Sequence, residues 1–423
     1  MKYYSLNGQS PLASFREAAT RGQAPDKGLY FPERIPQFER KLLENIEKAG
    51  EREIAVSVIR PYVGDDIPGD MLEMIVAETL NFPIPLVRVN DRISSLELYH
   101  GPTLAFKDVG ARFMSRCLGY FAKERSQKLV VLVATSGDTG GAVANGFYDV
   151  KGVDVVILYP SGKVSGVQEK QLTTLGRNIH PLEVAGDFDQ CQALVKRAFA
   201  DTGLNESLFL TSANSINVAR WLPQQFYYLF AWKQWKDKSN PPVIAVPSGN
   251  FGNLCAGLLA NASGMPAAHF IAACNANDVI PEFLLTGDYR PKRTVATISN
   301  AMDVGDPNNF VRILEIFGKD STMMKRLLSA TSITDDETRE TIATIFRDTR
   351  YLLDPHGAVG YISLERWLDK HRQDAGYFVE TAHPIKFYDV VEPVIGAAID
   401  LPDAVKAIID RPKSAVQIEP EFE

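Results

Sequence analysis

"KLVVLVATSGDTGGAVANGFY", residues 128–148, sets the pattern of the whole chain. Residues 129–134 form an unbroken apolar run rich in β-branched side chains, the mark of a strand covered on both faces. A Ser/Gly/Thr loop follows at 135–139, and then a helix of small residues. The same strand–loop–helix order returns in "VDVVILYPSGKVSGVQEKQLTTLG" (153–176) and "NIHPLEVAGDFDQCQALVKRAFA" (178–200). "LFLTSAN" (208–214) is a fourth strand, with a long aromatic helix after it to about 237. "PPVIAVPSGNFGNLCAGLLA" (241–260) and "HFIAACNANDVIPEFLL" (269–285) begin a second series. Strands alternating with helices predict an α/β fold with two parallel sheets, each flanked by helices.

The change of rhythm near "KDKSNPP" (236–242) marks the internal boundary, and residues 1–98, irregularly patterned, stand before the first unit. The expected organisation is therefore an N-terminal region (1–98), a smaller α/β subdomain (99–238) and a larger one (239–423). The acidic end "EPEFE" reads as a loose tail. The 423 residues are 45% hydrophobic and 23% charged, with a net charge of −7. That balance, with no Lys/Arg block, points away from a nucleic-acid partner. No apolar run reaches membrane-spanning length, and the start "MKYYSLNGQS" lacks a signal-peptide core. Four cysteines without C-x-x-C or zinc spacing read as buried thiols in a reducing compartment, which implies a soluble, cytoplasmic protein.

"HGPTLAFKDVGARFM" (100–114) puts a lysine in an awkward place. Asp108 reads as an N-cap, and Phe113, Cys117 and Phe121 repeat at i, i+4, i+8 on one helix face. Lys107 then lies at a strand-to-helix junction, near the positive end of a helix dipole and beside apolar side chains. Both surroundings disfavour the ammonium form.

In open α/β sheets, ligands bind beyond the carboxyl ends of the strands, and several loops there carry chemistry. In "PSGNFGN" (247–253), Gly249 and Gly252 let backbone approach a ligand, and the helix start behind them suits a phosphate. The plainer alternative is a tight strand–helix turn. It is neither a P-loop nor a dinucleotide fingerprint. In "ATSGDTGGAVA" (134–144), Ser136, Thr139 and the amides around Gly137 suit a carboxylate, though a simple N-cap would look the same. "TSANSINVAR" (211–220) places Asn214, Ser215, Asn217 and Arg220 where helix spacing makes an anion pocket, or else a capped helix with a solvated arginine. "ETAHPIKF" (380–387) offers the Thr381 hydroxyl. His100, His356 and His383 have no partners at metal spacing and read as structural or supporting, so no metal site is expected.

A lysine of depressed pKa, a phosphate cup and a carboxylate loop together suit a phosphorylated aldehyde cofactor acting on an amino acid, which is pyridoxal phosphate. With these motifs assembled, the chain resembles the threonine synthase family, of the longer bacterial and fungal kind, among pyridoxal-phosphate enzymes of fold type II. The resemblance rests on "KGLYFP" (27–32), "LYHGPTLAFKD" (98–108), "ATSGDTGGAVA", "NSINVAR", "PSGNFGN", "SNAMDVGDPNN" (299–309) and "TAHPIKF" (381–387), in that order along the whole chain.

The resemblance implies a cofactor cleft between the two α/β subdomains. It implies that Lys107 forms the Schiff base, that Gly249, Asn250, Phe251, Gly252 and Asn253 hold the cofactor phosphate, and that Thr381 faces the pyridine nitrogen. Ser136, Gly137 and Thr139 would take the substrate carboxylate, and Asn214, Ser215 and Arg220 the phosphate of O-phospho-L-homoserine. Many relatives in the wider family carry Asn where this chain has Asp138, beside the cofactor's 3′-oxygen. A carboxylate there would repel a phenolate unless one of them carries a proton. The implied reaction is γ-elimination of phosphate followed by β-addition of water, by a monomer or homodimer. The rival expectations are a dehydratase or cysteine synthase-like enzyme of the same fold, and an inactive homologue used as a binding module.

Overall fold

A computed structural model describes residues 1–124 and 127–422. It contains three sheets. The largest has six strands in the order Leu328–Ser332, His269–Cys274, Val243–Pro247, Gly376–Glu380, Ile93–Glu97 and Leu86–Arg88. All neighbours pair in parallel except the last two, which are antiparallel. The second sheet has five parallel strands, Val416–Ile418, Ile179–Val184, Val153–Pro160, Lys128–Ala134 and Leu208–Thr211. Tyr3–Ser5 and Tyr30–Pro32 make a small antiparallel pair. The α/β architecture with parallel sheets is the one expected.

The apolar strand runs behave as their composition demands. Every residue of Val243–Pro247 and of His269–Cys274 is buried, because crossover helices cover both faces. The helix Gln225–Gln234 packs against the helices Gly252–Ala262 and Glu51–Val63 and is apolar nearly all round, with Phe226, Tyr227, Tyr228, Leu229 and Phe230 no more than 1% exposed. A helix hydrophobic on every side is one surrounded by protein. The helix Lys107–Ala122 buries Phe113, Met114, Cys117, Leu118 and Phe121 on the face that the i, i+4, i+8 spacing indicates. All four cysteines are free and buried.

Four details differ from the sequence reading. Residues 86–97, expected within the N-terminal region, supply two strands to the six-stranded sheet. The chain end does not hang loose: Val416–Ile418 pairs with Leu182–Val184 of the five-stranded sheet, and Arg197 lies over the Phe422 ring. The long aromatic helix is three pieces, Val218–Trp221, Leu222–Gln224 and Gln225–Gln234, since Pro223 has no N–H to continue the ladder. Finally, the helix starting at Lys107 has Phe106 as its N-cap, and Asp108 lies inside the first turn.

Candidate active site at the strand ends

Lys107 is delivered by a loop that is tied at both ends. The Phe106 N–H donates to the Thr381 carbonyl at 2.8 Å, and the His383 N–H donates to the Leu104 carbonyl at 3.0 Å. Leu104 sits at φ +58°, a left-handed conformation that a branched side chain rarely adopts, so the surrounding contacts must hold it there. Asp108 secures the turn. Its Oδ2 accepts the Thr103 N–H at 2.9 Å and its Oδ1 accepts the Thr103 hydroxyl. Burial pushes the Asp108 carboxyl up to about 6 despite those bonds.

The Lys107 side chain is 14% exposed, with Nζ 3.7 Å from Asp138 Oδ2. Burial lowers its pKa. Asp138 pulls the other way, and the positive charges of Lys386 and Arg220 add to the lowering. Asp138, at the start of the helix Asp138–Phe147, is itself buried. Burial alone would raise its pKa, but Lys386 and then Lys107 outweigh it and hold the carboxyl below the usual carboxylate range. Lys386 Nζ lies 2.7 Å from Asp138 Oδ1, and Gln168 Nε2 donates to the same oxygen at 3.0 Å. The Asp138 charge that looked problematic in isolation is thus already compensated.

The loop that begins with Gly137 is shaped by Thr135, whose Oγ1 accepts the N–H groups of Gly137 (3.0 Å) and Gly140 (2.9 Å). Gly137 has φ +137°, and a Cβ there would meet the Gln168 side chain at 2.5 Å. Ser136 and Thr139 stay partly exposed on this loop. Thr135, not they, does the structural work, which leaves their hydroxyls to a ligand.

The second loop is built differently. Phe251 is left-handed at φ +62° and caps the helix Gly252–Ala262 without any side-chain bond to the helix N–H groups. The loop's asparagines are committed elsewhere. Asn253 Nδ2 donates to the Pro247 carbonyl at 2.8 Å, its Oδ1 accepts the Leu254 N–H, and Asn250 Nδ2 donates to Ser215 Oγ at 2.8 Å. The Asn308 N–H donates to Asn250 Oδ1 at 2.6 Å, and Asn309 Nδ2 donates to the Asn250 carbonyl at 3.0 Å. Gly249 packs so tightly that a Cβ would lie 2.5 Å from the Met302 backbone. A tightly packed loop leading into a helix whose N-cap makes no side-chain bond is suited to an anion.

The third group divides. Ser215 faces Asn250 and Asn309 at the phosphate-type loop, not Arg220. Asn217 is a cap, accepting the Ala219 N–H and donating to Ala19 O, so it is not free for a ligand. Asn214 stays partly exposed at the turn. Arg220 is 3% exposed, with Nη1 donating to Ala213 O at 2.6 Å and Nε buried without a partner. Burial brings its pKa down to about 10. Thr381, 6% exposed, follows the strand Gly376–Glu380.

The histidines support their neighbours. His100 Nε2 lies 2.7 Å from Glu97 Oε2, His356 Nδ1 lies 2.8 Å from Asp354 Oδ2, and His383 Nδ1 accepts the Ile385 N–H. Among the described residues no three His, Cys, Asp or Glu side chains are placed to hold a metal. Sequence reasoning missed Lys386. A lysine inside the apolar run "PIKF" was the available signal, because such a side chain is rarely buried without a charged partner.

Known proteins match this chain along nearly its whole length. Residues 83–380 match the family model described as "Pyridoxal-phosphate dependent enzyme", and residues 2–80 match "Threonine synthase N terminus". The threonine synthase of Serratia marcescens is 45% identical over 406 residues, 96% of this chain and 93% of that protein. This chain belongs to the threonine synthase family. The crystal structure of threonine synthase from Escherichia coli superposes with a TM-score of 0.92 at 42% identity, covering 100% of this chain and 97% of that one. A pyridoxal-phosphate-bound threonine synthase from Brucella melitensis gives 0.93 at 34% identity, with the same coverage. A maize serine racemase, 16% identical with a TM-score of 0.54, shares the fold alone.

Family membership makes the chain a pyridoxal-phosphate-dependent lyase, and its residues fit that group. An uncapped helix start offers N–H donors to a phosphate, and a buried amine of lowered pKa offers itself to an aldehyde. No helix among the described residues is long and apolar enough to cross a membrane.

Proposed function

We propose that this chain converts O-phospho-L-homoserine and water into L-threonine and inorganic phosphate. The observation that carries the reading is Lys107, a buried amine facing Asp138 and set among cations that disfavour its protonation. Gly249, Asn250, Phe251, Gly252 and Asn253 are the proposed cradle for the cofactor phosphate, with Thr381 at the pyridine nitrogen and Asp138 beside the ring oxygen. When bound, pyridoxal phosphate supplies an electron sink that makes the substrate carbons near the amine acidic.

The protein's own groups do the rest. Ser136, Gly137 and Thr139 bind and orient the substrate carboxylate. Arg220, with Asn214, draws in the substrate phosphate and supports its departure from Cγ, while Ser215 steadies the 247–253 loop through Asn250. An unpartnered Nε on a buried guanidinium supports this role, since a dianion would complete its hydrogen bonds. Lys107 first holds the cofactor, then takes a proton from Cα and another from Cβ, and returns protons as water adds at Cβ. An amine of lowered pKa suits both giving and taking near neutral pH.

The substrate is a small molecule, and the net charge of −7 supports neither a nucleic-acid nor an anionic-membrane partner. Buried free thiols support a cytoplasmic setting, and the working form is a monomer or homodimer. The test is phosphate release from O-phospho-L-homoserine with L-threonine identified as the co-product. Release of phosphate with a keto acid instead would indicate a dehydratase-type outcome, and no release with bound cofactor would indicate a binding protein.

A further inference from the structure

Lys386 is the most completely buried charged group near Lys107. Its side chain is 0% exposed, on the short turn of helix Pro384–Phe387 that follows Thr381 and His383. Nζ meets two oxygens, Asp138 Oδ1 at 2.7 Å and the Thr103 carbonyl at 2.9 Å. Those partners belong to two different segments of the chain. Asp138 opens the helix behind the Gly137 loop, while Thr103 belongs to the turn that delivers Lys107 and is held by Asp108. One ammonium group therefore joins three segments.

The Asp138 carboxylate is divided between its two ends. Oδ1 takes both Lys386 and the Gln168 amide, and Oδ2 is left to face Lys107 at 3.7 Å, beyond hydrogen-bond length. We propose that Lys386 is a positioning residue for Lys107: it holds Asp138 by one oxygen, so that the carboxylate steers the Lys107 amine without closing a tight ion pair on it. The inference rests on Lys107 being the cofactor-bearing lysine.

The physical reason is competition for one anion. A lysine alone with a buried carboxylate forms a close pair and stays charged, which is useless to a nucleophile or base. A second lysine bound more tightly to the same carboxylate takes up most of that attraction and adds its own repulsion at the first. The charged and titratable groups around the pair agree. Lys107 is faced by Asp138, Lys386 and Arg220; Asp138 also feels His356, and Asp108 feels Lys386. Burial is the largest influence on Lys107, with Asp138 opposing it and Lys386 reinforcing it.

Lys386→Met removes the holding charge at similar length. Asp138 is then free to close on Lys107, and the ammonium form gains. The experiment has two arms on the full-length chain. In the first, pyridoxal phosphate is reduced onto the protein with borohydride and the modified peptide is mapped. Attachment elsewhere than Lys107 overturns the site reading on which the inference rests. In the second, the cofactor-free protein is acylated with acetic anhydride across pH, and modification of Lys107 is followed by mass spectrometry.

The expected result is a midpoint for Lys107 about one pH unit or more higher in Lys386→Met, or about tenfold less modification at a fixed pH below both midpoints. Attachment at Lys107 with an unchanged midpoint overturns the Lys386 role. Asp138→Asn combined with Lys386→Met leaves no unpaired charge at this pair, so it keeps the test available if the single variant does not fold. In the double variant both influences on Lys107 are gone, and because Asp138 is the larger of the two the midpoint falls below the parent value. A double variant shifted upward as far as the single one also overturns the proposal, since Lys386 would then not act through Asp138.

Discussion

Tyr227 and Tyr228, consecutive on the helix Gln225–Gln234, reach two separate loops of the candidate site. The Tyr227 hydroxyl donates to the carbonyl of Phe106, the residue before Lys107. The Tyr228 hydroxyl donates to the carbonyl of Asn253 at 2.8 Å, in the phosphate-type loop. Both rings are no more than 1% exposed. One helix thus ties the turn that delivers Lys107 to the 247–253 loop.

The two tyrosines predict separable defects. Each Tyr→Phe change leaves a buried carbonyl without that donor, at a cost of about 1–3 kcal/mol. Tyr228→Phe is expected to weaken cofactor binding by roughly tenfold, read by fluorescence titration of the cofactor-free protein. Tyr227→Phe is expected to spare that affinity and to lower turnover. Equal effects of both changes on both measurements would mean the helix acts only as packing.

Lys107→Ala is expected to fold, because the side chain is partly exposed and its loop is held by backbone bonds and Asp108. It will bind pyridoxal phosphate reversibly but retain none after borohydride reduction and denaturing dialysis. Loss of the acid–base role alone lowers the rate by ~10²–10⁴. Parent-level turnover without added amine would remove Lys107 from the mechanism.

Arg220 is the proposed partner of the substrate phosphate, apart from the proposed cradle of the cofactor phosphate. A hydrogen bond to a charged group contributes on the order of 1.5–3 kcal/mol, so Arg220→Ala should weaken O-phospho-L-homoserine roughly ten- to a hundredfold. Threonine, which has no phosphate, should be affected far less, and the cofactor's visible absorption should persist. Lysine cannot copy the guanidinium fork, so Arg220→Lys is expected to recover only part of the loss. Paired titrations with the two ligands decide the matter. Equal losses would assign Arg220, which also donates to Ala213 O, to support of the fold.

Acid stability carries a histidine signature. His269 stacks on Trp367 with ring centroids 3.9 Å apart and lies 2.8 Å from Ser329 Oγ; burial, chiefly, brings its pKa down to about 4. The unfolded imidazole titrates near ~6.5. Between those values the unfolded chain binds a proton that the native chain refuses, so stability falls as pH drops through that window, by on the order of 1 kcal/mol. Asp108, with a carboxyl pushed up to about 6, acts in the opposite sense below that pH, because there the native state takes the proton first. The comparison is therefore between variants. His269→Gln should remove the acid-side loss, so that relative to the parent the urea midpoint gains as pH drops from 6.5 to 4.5, and an unaltered slope would show that His269 does not contribute.

The sequence by itself determined what is local. Apolar runs flanked by glycine loops define parallel strands, since only a doubly covered strand can be apolar on both faces. The spacing of Phe113, Cys117 and Phe121 defines a buried helix face, and the glycine loops after strands mark the candidate site. What only the tertiary structure decided is how polar groups from distant segments satisfy one another. Asp108 reads as an N-cap but turns back to Thr103, because the loop's own N–H was the nearer unpaired donor. Ser215 reads as a partner of Arg220 one helical turn on, yet it meets Asn250 and Asn309 from two loops further along the chain. Asp138 looks like an isolated charge until Lys386, from the far end of the chain, arrives beside it. Burying a charge is costly enough that it must find a partner, but nothing in the local pattern says which one. That choice is made only when the sheets pack and bring the strand ends together.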